Sequence, residues 1–145
     1  MAEQRSRFVG IFEHGVDDKG RMVLPSRVRA QLGETGMLGM LDECLGIWSL
    51  DGFDDLAAQL HARVDSGEAP MTAFRTFMAY ATEISPDAQG RVVIPQRLRD
   101  YAGIGSEIVI NGRLDRAEIW DKAAWDAKTP QGDVDLAQTV RDLRL

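Results

Sequence analysis

The stretch DDKGRMVLPSRVR at residues 17–29 recurs as DAQGRVVIPQRLR at residues 87–99, and this repeat decides the fold. Aspartate, glycine, arginine, valine, proline and two later arginines stand at the same places in both stretches. Further along, the pair Ile47-Trp48 recurs as Ile119-Trp120. A repeat of this kind predicts two copies of one small module. A module of this size buries little core alone, so we expect the two copies to pack against each other as a pseudo-symmetric pair.

Each copy predicts the same order of elements: strand, tight turn, strand, short helix, strand, strand. Asp-x-x-Gly favours a turn, because aspartate can bond its own backbone and glycine accepts a positive φ. The apolar run that follows is typical of a strand, and proline ends that strand and begins a helix. The predicted hairpin-turn residues are Asp17, Gly20, Asp87 and Gly90. The predicted short helices are 26–32 and 96–102, and the later strands are 37–41, 45–50, 107–112 and 117–120.

Helical periodicity marks the segments outside the two copies. Apolar residues recur at helical spacing over 53–64, with Asp51 as a plausible N-cap, and again over 71–81 after Pro70. After the second copy we expect a helix over 122–128, a break at 129–132 and a last helix over 135–143. The predicted division is therefore a first domain at 11–52, a helical linker at 53–80, a second domain at 81–124 and a C-terminal helical segment at 125–145.

Composition and charge limit the class of protein. The chain has 145 residues, 44% of them hydrophobic and 28% charged, with no apolar run long enough to span a bilayer. Met1–Arg5 lacks the apolar segment of a secretory signal, and a single cysteine cannot form an intrachain disulfide, so we expect a cytoplasmic protein. The net charge is −6, yet cations outnumber anions within 17–30 and within 87–100. This distribution gives modest support to a nucleic-acid partner.

The repeat resembles the MraZ family of bacterial transcriptional regulators, which are built from two swapped-hairpin domains of the SpoVT-AbrB type. The resemblance rests on three features: Phe8-x-Gly10; Asp17-x-Lys19-Gly20-Arg21 with Leu24-Pro25; and Asp87-x-x-Gly90-Arg91 with Ile94-Pro95. It covers the chain from about Phe8 to Leu145. The fold class it implies is α+β: two tandem swapped-hairpin β modules, packed as a pseudo-symmetric pair, with accessory helices.

The resemblance also implies a function. Members of the family bind double-stranded DNA at repeated promoter elements upstream of their own gene, in the division and cell-wall gene cluster, and act mainly as repressors. They assemble as ring-like homo-oligomers. The resemblance thus implies a nucleoid-associated regulator with no small-molecule substrate, no membrane partner and no cofactor. Arg21 matches the arginine of the family's DNA-contacting motif, Lys19 lies beside it, and Arg91 is the counterpart of Arg21. Copy 2 departs from the motif at Gln89.

The basic residues allow two interpretations each. An arginine on a two-stranded ribbon in the major groove can bond guanine bidentately, and a lysine beside it can neutralise a phosphate; alternatively, the hairpin charges serve only solubility. The arginines of the short helices are expected either to contact phosphates or to form ion pairs with Asp17 or Asp87. For at least one arginine in each copy, we expect a structural role rather than a contact with DNA. These helix arginines are Arg27, Arg29, Arg97 and Arg99.

No set of residues predicts catalysis or metal binding. His14 and His61 lack companions at ligand spacing, Cys44 has no catalytic arrangement, and Ser26 fits a helix N-terminus better than a nucleophile. Trp48 and Trp120 could stack on bases, but their place in matching strands favours the core, against Phe53 or Trp125. We therefore expect no enzyme. Two alternatives stay open: an antitoxin-like protein-interaction module of the same fold, and an enzyme of cell-wall metabolism, which the missing acid–base constellation makes the weaker of the two.

Overall fold

Each copy of the repeat folds into two strands, a short helix and two more strands, in a computed structural model that describes residues 6–145. The first copy comprises β1 (Ile11–Gly15), β2 (Arg21–Val23), α1 (Ser26–Leu32), β3 (Gly36–Met40) and β4 (Leu45–Ser49). Helices α2 (Leu50–Asp65) and α3 (Met71–Tyr80) follow. The second copy comprises β5 (Thr82–Ile84), β6 (Arg91–Val93), α4 (Gln96–Ala102), β7 (Glu107–Gly112) and β8 (Ala117–Asp121), and α5 (Lys122–Leu143) ends the chain. The predicted order of elements is confirmed.

The two copies exchange strands, so neither forms a sheet alone. The first strand of each copy pairs antiparallel with the third strand of the other: β1 with β7, and β5 with β3. The last strands, β4 and β8, pair at the centre, which gives a six-stranded sheet in the order β1-β7-β8-β4-β3-β5. The second strands, β2 and β6, form a separate two-stranded ribbon. The predicted α+β fold of two swapped modules is confirmed.

One apolar core joins the six-stranded sheet, the ribbon and the two short helices. It contains matching residues from the two copies. Leu24 and Ile94, each of which precedes a proline, are both fully buried. Truncating either side chain to alanine would cost about 2–5 kcal/mol, because the close-packed surroundings cannot fill the space. The core therefore packs against the inward face of the ribbon and holds its two strands in register.

A second, aromatic cluster lies under α2 and α3. The ring centroid of Trp48 lies 5.9 Å from those of Phe53 and Phe77, and the rings of Phe53 and Phe77 are stacked at 5.4 Å. Helix α2 begins at Leu50 rather than after Asp51, because the Ser49 hydroxyl accepts a hydrogen bond from the Gly52 N–H at 3.1 Å. The expectation that Asp51 caps this helix is thus wrong, and Asp51 lies in the first turn, where its charge suits the helix dipole.

Helix α5 is continuous where the sequence predicts a break at 129–132. Pro130 lies inside it and removes one backbone donor, a cost of about 3 kcal/mol in a helix interior. Side-chain pairs one turn apart support the helix on both sides of Pro130: Lys122 with Asp126 at 2.7 Å, and Gln131 with Asp135 at 2.8 Å. No residue of α5 is buried. Each such pair is worth only about 0.2–0.5 kcal/mol, so the pairs offset part of the cost of Pro130 and not all of it.

Several expectations on the sequence fall outside what the structure tests. Met1–Arg5, on which the expectation about a secretory signal rests, lies outside the described residues. The predicted limits of the two domains stay predictions, because the shared sheet offers no cut between the copies. Within residues 6–145, no helix combines the length and apolar character needed to cross a membrane.

Candidate nucleic-acid interface

The ribbon of β2 and β6 presents one buried and one exposed face. Met22 and Val92 lie opposite each other and face the core. Arg21 lies opposite Val93 in the register, and Val23 lies opposite Arg91. All four of these residues are exposed, in keeping with the alternation of side chains along a strand. The exposed face therefore carries two arginines and two valines in a pseudo-twofold arrangement.

The turn before β2 is organised by Asp17. One of its carboxylate oxygens accepts hydrogen bonds from the backbone N–H groups of Lys19 and Arg21, at 3.0 and 2.9 Å. The other oxygen accepts from the Arg21 Nε at 2.7 Å. Gly20 closes the turn with a φ of +81°, a conformation that favours glycine. A single carboxylate thus fixes both the turn and the orientation of the Arg21 guanidinium.

Copy 2 repeats this geometry almost without change. Asp87 accepts from the backbone N–H groups of Gln89 and Arg91, both at 2.9 Å, and from the Arg91 Nε at 2.9 Å. Gly90 has a φ of +80°. The four predicted turn residues therefore form two equivalent turns, one at each end of the ribbon.

Hydrogen bonds from Arg21 and Arg91 favour the ionised form of the two turn carboxylates. The pKa of Asp17 lies below its usual value, first because the Arg21 backbone N–H bonds the carboxylate and then because the Arg21 side chain does so too. The pKa of Asp87 is lowered by the same two contacts with Arg91. Each side-chain contact uses only the Nε of its arginine, and no described residue bonds the terminal nitrogens of Arg21 or Arg91. Those nitrogens have the geometry to donate together to one planar acceptor pair.

Both arginines line the same two open clefts, one on each side of the ribbon. One cleft includes residues of β5 and Pro95, and the other includes His14 and Gly15 at the end of β1 and Val16 after it. Lys19 and Gln89 lie exposed at the tips of the turns. The structure therefore brings Arg21 and Arg91 together, with residues 19 and 89 at the outer ends of the same surface, which we call the ribbon face (residues 19, 21, 23, 89, 91 and 93).

The helix arginines separate into two classes. Arg27 and Arg97 are exposed, and they lie away from the two clefts: Arg27 lines a different cleft with Phe8, and the Arg97 guanidinium lies 4.5 Å from the Tyr80 ring centroid. Arg29 and Arg99 are half-buried behind the turns. Neither forms an ion pair with Asp17 or Asp87, which bond Arg21 and Arg91 instead. The predicted phosphate contacts of all four stay predictions.

Sequence reasoning missed Val23 and Val93 as part of this surface. They are 41% and 53% exposed, because each lies on the outer face of its strand, between two neighbours that face the core. The alternation of the RMV and RVV segments, with Met22 and Val92 inward, would have identified them. An exposed apolar side chain between two arginines can contact a thymine methyl group.

The residues judged unreactive have ordinary structural roles. Burial, as the main cause, raises the pKa of the Cys44 thiol to about 12, so the thiol stays protonated and unreactive. Trp48 and Trp120 are buried, and each packs against the predicted aromatic partner, Phe53 or Trp125. The core assignment of both tryptophans is confirmed. Within residues 6–145, no three His, Cys, Asp or Glu side chains gather into a metal-binding group.

Fold and site together define a class: a swapped-hairpin protein of the SpoVT-AbrB type with two tandem modules in one chain. A family model described as "MraZ protein, putative antitoxin-like" matches residues 8–76 and again 77–140. The chain belongs to this MraZ family, as the sequence resemblance predicts.

Relatives over most of the chain carry the name "Transcriptional regulator MraZ". The relative from Bifidobacterium longum is 37% identical over 144 residues, which is 97% of this chain and 96% of that protein. The one from Acetivibrio thermocellus is 40% identical over 83% of this chain and 85% of its own length. The one from Caldicellulosiruptor bescii is 43% identical over 81% and 82%. These names are those of regulators, so the prediction that the chain is not an enzyme is confirmed at the level of its family.

Proposed function

We propose that the chain is a sequence-specific DNA-binding transcriptional regulator whose ribbon face enters the major groove. The observation that carries this is the placement of Arg21 and Arg91 on one exposed ribbon, each oriented by an aspartate in an equivalent turn. A two-stranded ribbon fits the major groove of B-DNA, and arginine bound bidentately to guanine is the commonest specific contact there. The names of the relatives support the regulatory role.

The remaining basic residues have supporting roles in this proposal. Lys19, exposed at the tip of the first turn, neutralises a phosphate beside the groove, whereas Gln89 brings no charge to the second turn. Arg27 and Arg97 are exposed on the helices that follow the ribbon and are assigned to phosphates further out. Such contacts position the protein without reading the base sequence.

The regulator acts as a homo-oligomer on repeated elements in the promoter of its own operon, in the division and cell-wall gene cluster, and represses it. Each ribbon contributes only a few contacts, so a single ribbon binds weakly. Joining several ribbons in one ring-like assembly raises the effective concentration of each at a neighbouring element. A monomeric form that binds as tightly as the assembly would contradict this part of the proposal. Nucleoid association follows from the same DNA contacts.

Fluorescence anisotropy tests the proposal directly. A labelled DNA from upstream of the gene is titrated with wild type and with Arg21→Ala/Arg91→Ala at two salt concentrations. The matched control is Arg113→Ala, because Arg113 is also exposed and paired with an aspartate, at 3.1 Å, in a turn away from the ribbon. We expect salt-sensitive binding by wild type and control, and loss of specific binding in the double variant with the assembly intact. Unchanged binding by the double variant would refute the ribbon face as the reading surface.

A second candidate function is an antitoxin-like protein-interaction module. The description of the family model includes that likeness, and α5 exposes apolar side chains, including Val134, Leu136 and Leu143, that a protein partner could cover. Salt discriminates between the two functions, because binding through phosphates weakens steeply as salt rises and apolar contact with a protein does not. Salt-insensitive anisotropy, or no binding of wild type at low salt, would favour this second function.

A further inference from the structure

The guanidinium group of Arg99, on α4 of copy 2, packs against the turn of copy 1. A Cβ atom added to Gly20 would lie 2.8 Å from the Arg99 Nε and 3.0 Å from its Cζ, and it would also meet the Ile94 carbonyl oxygen. Real Cβ atoms essentially never come so close to other heavy atoms. Gly20 is therefore required by its positive φ and by the Ile94 backbone, and the absence of a Cβ also lets the flexible Arg99 side chain of the other copy lie this close to the turn.

The reverse contact is present as well. A Cβ atom added to Gly90 of copy 2 would lie 2.9 Å from the Cζ and 3.0 Å from the Nε of Arg29, on α1 of copy 1. Both Gly20 and Gly90 are buried, and Arg29 and Arg99 are half-buried, whereas Arg27 and Arg97 two positions earlier are exposed. The alternate arginines of each short helix thus have different environments.

Hydrogen bonds extend these contacts into the ribbon. The Ile94 N–H donates to the Gly20 carbonyl at 2.8 Å, and the Ile94 carbonyl accepts from the Arg99 Nε at 2.9 Å. In the other direction, the Leu24 N–H donates to the Gly90 carbonyl at 2.8 Å. The Arg29 Nε is buried without a hydrogen-bond partner among the described residues. Arg99 is therefore the more firmly held of the two.

We propose that Arg29 and Arg99 are positioning residues, each of which holds the DNA-facing turn of the other copy. The planar guanidinium covers a turn that only glycine allows it to approach, and the turn in turn orients Arg21 or Arg91 through its aspartate. A turn that is ordered before binding loses less conformational entropy on DNA. The consequence for DNA rests on the proposed function, but the contact between the copies does not.

Hydrogen–deuterium exchange of the intact oligomer tests the cross-copy contact without DNA. Arg99→Met is expected to accelerate exchange in the peptide covering residues 17–21 of copy 1, and Arg29→Met in the peptide covering residues 87–91 of copy 2. We expect about tenfold faster exchange, the factor that a local loss of about 1.4 kcal/mol produces. Arg97→Met and Arg27→Met, the exposed neighbours, are matched controls and should leave both turns unchanged. Acceleration in the turn of the same copy, or in neither turn, would overturn the proposal.

Lysine variants separate positioning from charge and cover the case in which methionine prevents folding. Arg99→Lys keeps a cation that could still meet a phosphate but lacks the planar group, so we expect it to loosen residues 17–21 much as methionine does. In DNA titrations, the affinity of Arg99→Met should fall while the slope of log K against log salt stays at the wild-type value.

A phosphate contact behaves differently from a positioning residue. Its loss makes the negative slope of log K against log salt shallower by about 0.9, and lysine would restore the wild-type slope. That result, with the turn peptides still protected, would overturn the positioning role of Arg99. If wild type binds no DNA at all, the proposed function fails, whereas the exchange experiment still decides whether the two copies hold each other's turns.

Discussion

The two turns of the ribbon have nearly the same geometry and different sequences at their tips. The arginine Nε to aspartate distance is 2.7 Å in copy 1 and 2.9 Å in copy 2, and the turn glycines have φ values of +81° and +80°. Copy 1 carries Asp18-Lys19 at the tip and copy 2 carries Ala88-Gln89. The residues that make the turn are therefore the same in both copies, and the residues free to differ are those that face solvent.

The accessory helices differ far more than the turns. After copy 1, α2 and α3 cover Trp48 with the two phenylalanines of the aromatic cluster. After copy 2, Trp120 meets Trp125 of α5, with ring centroids 6.2 Å apart, and the Lys128 Nζ of the same helix, 5.5 Å from its ring centroid, but α5 buries no residue. The same Ile-Trp strand is thus covered by a packed helical pair in one copy and by an exposed helix in the other. The pseudo-symmetry ends where the ribbon and the sheet end.

The largest expected effect comes from the accessory helices. Phe77→Ala should lower the free energy of unfolding by about 3–5 kcal/mol, because it empties a buried, stacked position. Trp125→Ala should cost less than half as much, since α5 is exposed. Urea denaturation at one fixed protein concentration measures both, because association contributes to apparent stability. Equal losses would mean that another protein chain covers α5 in solution.

The next largest effect concerns the two arginines of the ribbon face. Arg21→Ala and Arg91→Ala should each weaken specific DNA binding by about 1–3 kcal/mol, the usual worth of a bidentate guanine contact. Anisotropy titration of the two single variants compares the copies directly. Similar losses would mean that both turns read the DNA together. A loss confined to Arg21→Ala would assign reading to copy 1 alone.

The repeat made most of the fold predictable. The helix bounds 26–32 and 96–102 agree with the structure, because proline and glycine mark both ends of each short helix. The exchange of strands between the copies does not follow from local pattern, since pairing partners are chosen by long-range packing; it came from the family resemblance. The sequence does not predict the continuity of α5, because Pro130 and Gly132 are strong local signals for a break. The side-chain pairs that support the helix on both sides of them are much weaker signals.

The candidate site was predictable in part. Arg21 and Arg91 stand out as the repeated cation after a turn, and the structure places them on one surface. The different environments of Arg27 and Arg29 were expected only in outline, as residues two apart on a short helix. That Arg29 meets Gly90 of the other copy has no local signal, because the contact joins positions 61 residues apart (29 to 90). Only the swapped topology creates it.

A smaller effect should distinguish the tips of the turns. Lys19→Gln gives copy 1 the residue that copy 2 has, and Gln89→Lys does the reverse. If Lys19 neutralises one phosphate, its loss makes the negative slope of log K against log salt shallower by about 0.9, and a lysine in place of Gln89 makes it steeper by the same amount. Anisotropy at several salt concentrations measures both slopes. An unchanged slope in Lys19→Gln would mean that Lys19 contacts no phosphate and contributes only to solubility.

The smallest effect, invisible at neutral pH, is the titration of the two turn carboxylates. The bound N–H groups and the arginine favour the ionised form, so the folded pKa of Asp17 and of Asp87 lies below the ordinary value of 3.8. A depressed folded pKa contributes stability that is present above the unfolded value and is lost as pH falls through the folded one. The turns should therefore persist down to about pH 4 and loosen only in stronger acid.

Carboxyl carbon-13 resonances of labelled aspartate give both midpoints, and the comparison between the copies supplies the control. The midpoints of Asp17 and Asp87 should agree, because each carboxylate makes the same set of contacts. Arg21→Ala should move the midpoint of Asp17 toward 3.8 without reaching it, since the backbone N–H groups of residues 19 and 21 still bond the carboxylate, and should leave Asp87 unchanged. A midpoint for Asp17 above the ordinary aspartate value of 3.8 would contradict the bonded turn, and with it the fixed orientation of Arg21.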